Sequence, residues 1–328
     1  MRLSQNIEFQ KVFLDQIAAS LPKNESLNEA IATALDISYD AAHRRNSLKS
    51  KLSLDESIIL ANYFNLSLDA LFGNTVVDYL SVVKTKQISN QAELQQYFEN
   101  SYLSLKSLLQ DAKSKMYYSA KDIPIFYTLT NSKLTKFKIY VWIKLLGNPA
   151  WNDSFDSFNP SLQTMEAAQR LGSIYDQIPS VEIWDTTTIN STLKQIHFYF
   201  NAGQITIATA LELCEDLKNL IQGIASKVLN DDNFEFYYNE LLLMNNNVLV
   251  KTPQQQAHYV PFTILSYYRT SDKATCQQAM EYLENQMRHS KLLNTAGEKE
   301  RNQFFNKMYH KIDALKSLLK ASQVLDFE

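Results

Sequence analysis

The sequence of 328 residues is 45% hydrophobic and 12% aromatic and contains only 6 Gly and 7 Pro, which favours a globular, helix-rich protein over one with long disordered segments. Its formal net charge of -3 excludes a strongly basic nucleic-acid-binding protein, so any contact with DNA must come from a local group of cations. The chain is longer than one small module requires, and we therefore predict two domains.

The N-terminal part of the chain carries clear helix signals. Apolar residues recur at helical spacing over residues 7–21, which predicts a first helix. Ser26 and Glu29 then have the spacing of a capping box, which predicts the start of a second, amphipathic helix. Asp36 is predicted to adopt the left-handed conformation of a tight turn, and Ser38 is a good N-cap for the next helix. The pattern therefore predicts a helix, a tight turn and another helix.

The helix after this turn, residues 39–47, is unusually polar. Residues 38–51 carry four Lys and Arg side chains and one acid, Asp40, so this window has a charge of +3 although residues 1–74 together carry -2. Ser53 and Glu56 have the spacing of a second capping box, which predicts further short helices before residue 74. Because a polar helix adds little to a core, its outer face is a candidate binding surface.

Two segments resemble a known family. Residues 60–71 (LANYFNLSLDAL) are similar to the closing motif L-A-x-x-L-G-V-S-x-D-x-L of the lambda-repressor-like helix-turn-helix, which is found in bacterial transcription factors of the Cro and repressor class. Residues 31–38 (IATALDIS) resemble the first helix and turn of the same motif. The sequence departs from the family pattern at Asp36, where Gly is usual, and at Arg45, where a large apolar residue is preferred.

The resemblance implies a five-helix DNA-binding domain over residues 1–74 that binds double-stranded DNA. In such a domain the helix after the turn lies in the major groove, while the following loop and helix N-termini contact the phosphates. Carried over position by position, the resemblance implies the following DNA-binding residues: Asn28, Ser38, Tyr39, Asp40, His43, Arg44, Arg45, Lys49 and Lys51. The alternative is that residues 39–47 form a solvated surface helix of a module that binds protein.

The remainder, residues 75–328, is predicted to be a helix-rich α+β domain, so the whole chain is mainly α. The domain boundary is predicted at residues 73–75, where Gly73 follows a helix end. Helices are predicted at residues 90–113, 134–146, 161–177, 187–201, 205–229, 272–287 and 298–320. Strand-like segments are predicted at residues 116–118, 123–129, 232–243, 247–251 and 259–268. A hairpin turn at residues 245–247 would join two of these strands, and we predict a small antiparallel sheet.

Two features of this second domain have functional alternatives. The last helix places apolar residues at spacings of 3, 4, 3 and 4 from Phe305 to Leu319, which predicts either a homodimer interface or an internal packing seam. Aromatic residues are frequent and could line the cavity of a sensor domain, although such residues more often form core. These aromatic residues are Tyr117, Tyr118, Phe126, Tyr127, Phe234, Phe236, Tyr237, Tyr238, Tyr259, Phe262, Tyr267 and Tyr268.

Other classes of site have little support in the sequence. Cys214 and Cys276 are 62 residues apart with no His at ligand spacing, so we expect reduced core cysteines and no metal. No phosphate-binding glycine loop, nucleophile elbow or H-E-x-x-H pattern occurs, so we expect neither an enzyme nor a bound cofactor. No leader and no apolar run of membrane-spanning length is apparent, which favours a cytoplasmic protein without membrane contact.

These patterns lead to two hypotheses about function. The first is a sequence-specific transcriptional regulator whose C-terminal domain dimerises and senses a small-molecule or peptide effector. The second is a protein-interaction or peptide-sensing adaptor, in which the helices between residues 90 and 229 are degenerate repeats and the N-terminal module binds protein.

Overall fold

The computed structural model describes residues 9–22, 25–72, 80, 82–147, 154–241 and 243–324. The chain divides into two compact units, Met1–Ser81 and Val82–Glu328. Helices predominate, and they accompany one mixed sheet in the second unit, so the chain is helix-rich α+β as the sequence predicts. The boundary predicted at residues 73–75 lies outside the described residues.

The N-terminal unit is a small helical bundle. Its described helices are α1 (Phe9–Ser20), α2 (Leu27–Leu35), α3 (Tyr39–Asn46), α4 (Leu54–Tyr63) and α5 (Leu68–Phe72). Phe13 and Ile17 of α1 pack against Ile31 of α2 and Leu60 of α4, and all four are buried. The α3 helix contributes one buried residue to this core, Ala42. Most of its surface is therefore available for contacts outside the bundle.

Local side-chain chemistry explains where these helices begin and end. Asp36 has φ 52° and ψ 50°, the left-handed conformation that the sequence predicts between α2 and α3. Ser38 caps α3 by accepting a hydrogen bond from the Ala41 amide at 3.3 Å, and Ser53 with Glu56 completes a capping box on α4. The capping box predicted at Ser26 does not form, because the Ser26 side chain makes no cap hydrogen bond.

The C-terminal unit combines helices with an eight-stranded sheet. Its described helices are α6 (Gln91–Leu108), α7 (Ile125–Thr128), α8 (Lys133–Leu146), α9 (Leu162–Tyr175), α10 (Asn190–Asn201), α11 (Ile207–Asn230), α12 (Lys273–Arg288) and α13 (Glu298–Val324). Its strands are β1 (Val83–Lys84), β2 (Lys115–Ala120), β3 (Ser180–Trp184), β4 (Phe234–Asn239), β5 (Asn247–Lys251), β6 (Gln256–Pro261), β7 (Tyr267–Thr270) and β8 (Ser290–Leu292). The strand order is β1-β7-β6-β5-β2-β3-β4-β8.

The sheet has a parallel centre and antiparallel flanks. Strands β2, β3 and β4 are parallel, and helices α7 to α11 form the crossovers that such neighbours require. Strands β5, β6, β7 and β1 extend the β2 side as an antiparallel ribbon, and β8 is antiparallel to β4. The main core includes α6, α8 to α11 and α13, whereas α12 packs on a second cluster that contains Ile183, Leu249 and Leu283.

The predicted small antiparallel sheet is wrong in size and in type. Residues 232–243 and 247–251 were expected to pair as a hairpin, but β2 and β3 lie between β4 and β5. Strand β5 instead pairs with β2, which lies more than 120 residues earlier in the chain. The turn signal between the two strand-like segments therefore did not indicate which strands pair. The predicted strand at residues 259–268 is the hairpin of β6 and β7.

Two further differences concern the parallel centre. The predicted strand at residues 123–129 is the short helix α7, which begins after Pro124, a residue whose fixed φ suits a helix start. Strand β3 was not predicted, although all five of its residues are buried. Its sequence, SVEIW, is short and has Glu182 in the middle, so neither strand alternation nor a continuous apolar run is visible.

The apolar seam of α13 is internal. Its five residues, Phe305, Met308, Ile312, Leu315 and Leu319, are buried in the main core, where α13 packs along α11. Because these residues are buried, the seam cannot serve as a dimer interface. Of the two alternatives that the sequence left open, the structure shows internal packing.

Two glycines in helices provide a matched test of the packing between α7 and α9. A Cβ atom added to Gly172 of α9 would lie 2.2 Å from the Leu129 carbonyl oxygen and 3.0 Å from that of Phe126, whereas one added to Gly223 of α11 would meet nothing within 4 Å. We expect Gly172→Ala to lower the free energy of unfolding by about 1 to 3 kcal/mol. Gly223→Ala should leave it unchanged or raise it by up to about 1 kcal/mol.

The measurement is urea unfolding followed by tryptophan fluorescence, since Trp142 and Trp184 are buried in this unit. Equal stabilities for the two variants would contradict the close approach of α9 to the α7 backbone.

Candidate nucleic-acid interface

A polar network joins the start of α2 to the exposed face of α3. The Asn28 amide donates to the Tyr39 hydroxyl at 3.2 Å and lies 3.5 Å from His43 Nδ1, while the Asn46 amide donates to Asn28 Oδ1 at 2.7 Å. Tyr39 remains 52% exposed, and His43 is also exposed. Three of the residues that the resemblance selected, Asn28, Tyr39 and His43, therefore lie together on one surface.

Arg45 lies on a different side of α3. Its guanidinium forms an ion pair with Glu56 of α4 and donates from Nη1 to the Ala41 carbonyl at 3.0 Å. Side-chain exposure is 18% for Arg45 and 20% for Glu56. The hydrogen bond from Arg45 lowers the pKa of Glu56, and the same bond raises the pKa of Arg45. The position where the family prefers a large apolar residue thus holds an ion pair that fixes α3 to α4.

The loop after α3 is held by a residue that the sequence did not single out. The Gln10 side chain donates to the carbonyls of Arg45 and Ser50 at 2.8 and 2.9 Å and accepts from the Leu52 amide at 3.0 Å. Leu48 adopts φ 59°, a left-handed conformation that costs a non-glycine residue about 1 kcal/mol. These contacts fix the loop that carries Lys49 and Lys51.

The exposed charges on this surface are mostly positive. Arg44 in α3 and Lys49 and Lys51 in the loop are exposed cations, and Asp40 at the start of α3 is an exposed acid. Ser38 is occupied as the α3 cap. Within the described residues, the side chains of Arg44, Lys49 and Lys51 have no ion pair or hydrogen bond to break before they reach an anionic group, whereas Arg45 would first have to leave Glu56.

The C-terminal unit contains a groove of about 750 Å³ between α6 and the antiparallel strands. This volume is within the usual range for pockets that bind small molecules. Four of the twelve predicted cavity aromatics line it: Tyr118, Phe126, Tyr259 and Tyr267. The others include core residues such as Phe234 and Phe236, and Tyr117 and Tyr237, which pack in the cluster under α12. Both alternatives of the sequence analysis therefore occur, since a third of the set lines a groove and others form core.

Buried polar groups near the parallel strands were not predicted. Glu182 is fully buried and accepts hydrogen bonds from the Tyr175 and Tyr127 hydroxyls at 2.6 and 2.7 Å and from Trp184 Nε1 at 2.7 Å. Lys138 is also buried and donates to Thr192 and Gln195, and burial lowers its pKa to about 8. The signal in the sequence that could have indicated a buried acid was the position of Glu182 between the apolar residues Val181 and Ile183.

The described residues bear on three further expectations, which concern the cysteines, a metal site and a membrane span. Cys214 and Cys276 are free and buried, and burial raises the pKa of Cys214 to about 11 and also raises that of Cys276. In the described part of the chain, no group of three or more His, Cys, Asp and Glu residues could hold a metal ion. None of the described helices has both the length and the apolar character to cross a membrane.

The ion pair between Arg45 and Glu56 should contribute stability that depends on pH. Because the folded state lowers the pKa of Glu56, this contribution is present at neutral pH and is lost as the pH falls through that lowered pKa. We expect Glu56→Gln to destabilise the contact between α3 and α4 by about 1 kcal/mol at pH 7, since the pair is partly exposed.

Hydrogen exchange in α3 and α4, measured by mass spectrometry, should accelerate about fivefold at pH 7 in this variant. The difference from wild type in unfolding midpoint should shrink below about pH 4. Glu29→Gln, which changes an exposed acid in the first turn of α2, is the matched control and should have little effect. A constant difference from pH 7 to pH 3 would contradict the assignment.

Comparison with known proteins gives no further assignment: no protein-family model, no curated protein and no solved structure matches this chain.

Proposed function

We propose that this protein is a cytoplasmic, sequence-specific DNA-binding transcriptional regulator. In this proposal the N-terminal unit is a five-helix, lambda-repressor-like helix-turn-helix domain, and the C-terminal unit serves dimerisation and effector binding. The observation that carries the proposal is the surface of α3, which exposes Tyr39, His43 and Arg44 but buries only Ala42. A helix with so small a share in the core is best explained by a role for its outer face.

The geometry suggests a division of roles among the predicted residues. Arg44 would read a guanine edge, since a guanidinium can donate to O6 and N7 together. Lys49 and Lys51, on a loop fixed by Gln10, would contact phosphates, which position the protein without reading sequence. Arg45 is assigned to positioning α3 through Glu56. Few cations take part, so the affinity should be modest.

The DNA-binding proposal predicts different effects for two cations. Arg44→Ala should reduce affinity for the preferred site by about 1 to 3 kcal/mol and relax base choice at one position. Lys51→Ala should weaken binding to all duplexes alike. It should also reduce the slope of log affinity against log salt concentration by roughly 0.9, the value for one phosphate contact. The preferred site would be obtained by selection from random duplex DNA and the affinities measured by fluorescence anisotropy.

Lys299→Ala, which removes a cation from the exposed start of α13, is the control and should bind as wild type does. Selection that enriches no sequence, or Arg44→Ala and Lys51→Ala variants that both bind DNA normally, would refute the assignment of α3 as a reading helix.

The second candidate function is a protein-interaction adaptor. It is favoured by the exposed Tyr39 on α3 and by the net charge of -2 over residues 1–74, neither of which is typical of a strong DNA-binding surface. The two functions differ in salt dependence, because binding through several phosphates weakens steeply as salt rises. A partner bound through Tyr39 would be lost in Tyr39→Ala but would tolerate moderate salt.

The regulator proposal also predicts a homodimer. One module of this size covers a half-site, and two-fold pairing is the usual means of gaining affinity for a full site. The interface must lie outside the buried seam of α13. Light scattering at tens of micromolar should give the mass of two chains, and a monomer at that concentration would overturn the dimer while leaving half-site binding open to the affinity measurements above.

A further inference from the structure

The groove beside α6 carries a more specific inference than a general effector site. We infer that it binds an amphipathic small molecule with an apolar body and one carboxylate group, and that Arg269 receives the carboxylate. The binding itself is independent of DNA recognition, whereas any regulatory consequence rests on the proposed function. The inference comes from three parts of the groove: its floor, its wall and its charges.

The floor is formed by side chains on one face of the antiparallel ribbon. Val83, Arg269, Tyr259, Val248 and Tyr118 are successive cross-strand partners on β1, β7, β6, β5 and β2, so their side chains form one row, and all five line the groove. Ala257, Val250 and Met116 form a second row beside it. Arg269 is the only charged side chain in these two rows, and the remainder are apolar or phenolic.

The wall is one side of α6. Lining residues from Glu93 to Leu108 recur along this helix, a separation of about 22 Å at the α-helical rise. The outer part of this wall includes Gln96, Asn100 and Ser104, which are exposed, whereas Leu105 on the same helix is buried. An elongated groove with a polar rim and an apolar floor fits a ligand that is itself elongated and amphipathic.

Phenol hydroxyls provide neutral hydrogen-bonding groups on the floor. The phenol side chains of Tyr118 and Tyr267 both line the groove. Burial raises the pKa of both groups, so both are neutral at pH 7. Each neutral hydroxyl can therefore both donate and accept a hydrogen bond.

The charges of the groove favour an anion. In the described part of the chain, the Arg269 guanidinium has no ion pair or hydrogen bond. It lies close enough to Tyr259 to lower the pKa of that phenol, although burial raises the same pKa by more. Among the described lining residues the one acid is Glu93, which already accepts from the Ser89 amide and hydroxyl at 2.7 and 3.0 Å and lies near Lys86. An uncommitted guanidinium on an apolar floor matches the two oxygens of a carboxylate.

The test uses the full chain, with octanoate, octan-1-ol and octylamine as probes of equal length in isothermal titration calorimetry. Octanoate should bind at least roughly tenfold more tightly than octan-1-ol, as expected for a charge-assisted hydrogen bond, and octylamine should bind most weakly. Arg269→Gln should remove the preference for octanoate and leave the affinity for octan-1-ol unchanged. Ala257→Leu, which narrows the floor, should weaken both.

Arg288→Gln is the matched control, because this arginine lies on α12, which packs on the other cluster of the sheet, and its side chain is 75% exposed. Since Arg269 is also exposed, its variant should fold, which circular dichroism would verify. Equal binding of octanoate and octan-1-ol by wild type, or full octanoate affinity in Arg269→Gln, would overturn the inference.

The regulatory role is tested separately by DNA titration with and without octanoate. A change in DNA affinity that is absent in Arg269→Gln supports an effector role for the groove. Octanoate binding with unchanged DNA affinity would overturn that role alone, and a failure of DNA binding in every condition would refute the proposed function without affecting the binding site.

Discussion

The C-terminal unit depends on the environment of one buried carboxylate, that of Glu182 at the middle of strand β3. Burial raises the pKa of this group, while hydrogen bonds from Tyr175, Tyr127 and Trp184 act in the opposite direction. A buried carboxylate without partners would cost far more than most single interactions contribute, so these three donors must stay in place for the sheet to hold Glu182. Tyr127 belongs to α7 and Tyr175 to α9. Their hydrogen bonds to Glu182 therefore fix the crossover between β2 and β3 to strand β3.

The same constraint extends to the groove. Phe126 stacks on Tyr175 with ring centroids 4.1 Å apart, and Gly172 lets α9 approach the backbone of residues 126–129. Phe126 and Tyr118 both line the groove, and Tyr118 is the cross-strand neighbour of Glu182. The inner end of the groove is therefore built from residues whose positions are set by the buried carboxylate. The outer end, at Arg269 and Val83, lies on the antiparallel ribbon, away from the parallel strands that hold Glu182.

Local signals in the sequence predicted the helices well and the sheet poorly. Ser38 and Ser53 are caps because their hydroxyls act within three residues, and the apolar period of α13 reports its buried face directly. Strand pairing is not local: β5 lies beside β2 and not beside β4, and no short pattern encodes that choice. Likewise, Gln10 binds carbonyls 35 and 40 residues away, and Arg45 finds Glu56 on another helix, so their roles depend on contacts that sequence spacing does not show.

The N-terminal unit uses polar contacts where its small core cannot reach. The α3 helix buries only Ala42, and polar contacts hold it in place: the ion pair of Arg45 with Glu56 and the hydrogen bond of Asn46 with Asn28. The loop that follows α3 is held by Gln10. A surface fixed in this way has little conformational entropy left to lose. Glu56 therefore has two roles, since it pairs with Arg45 of α3 and also completes the capping box at the start of α4.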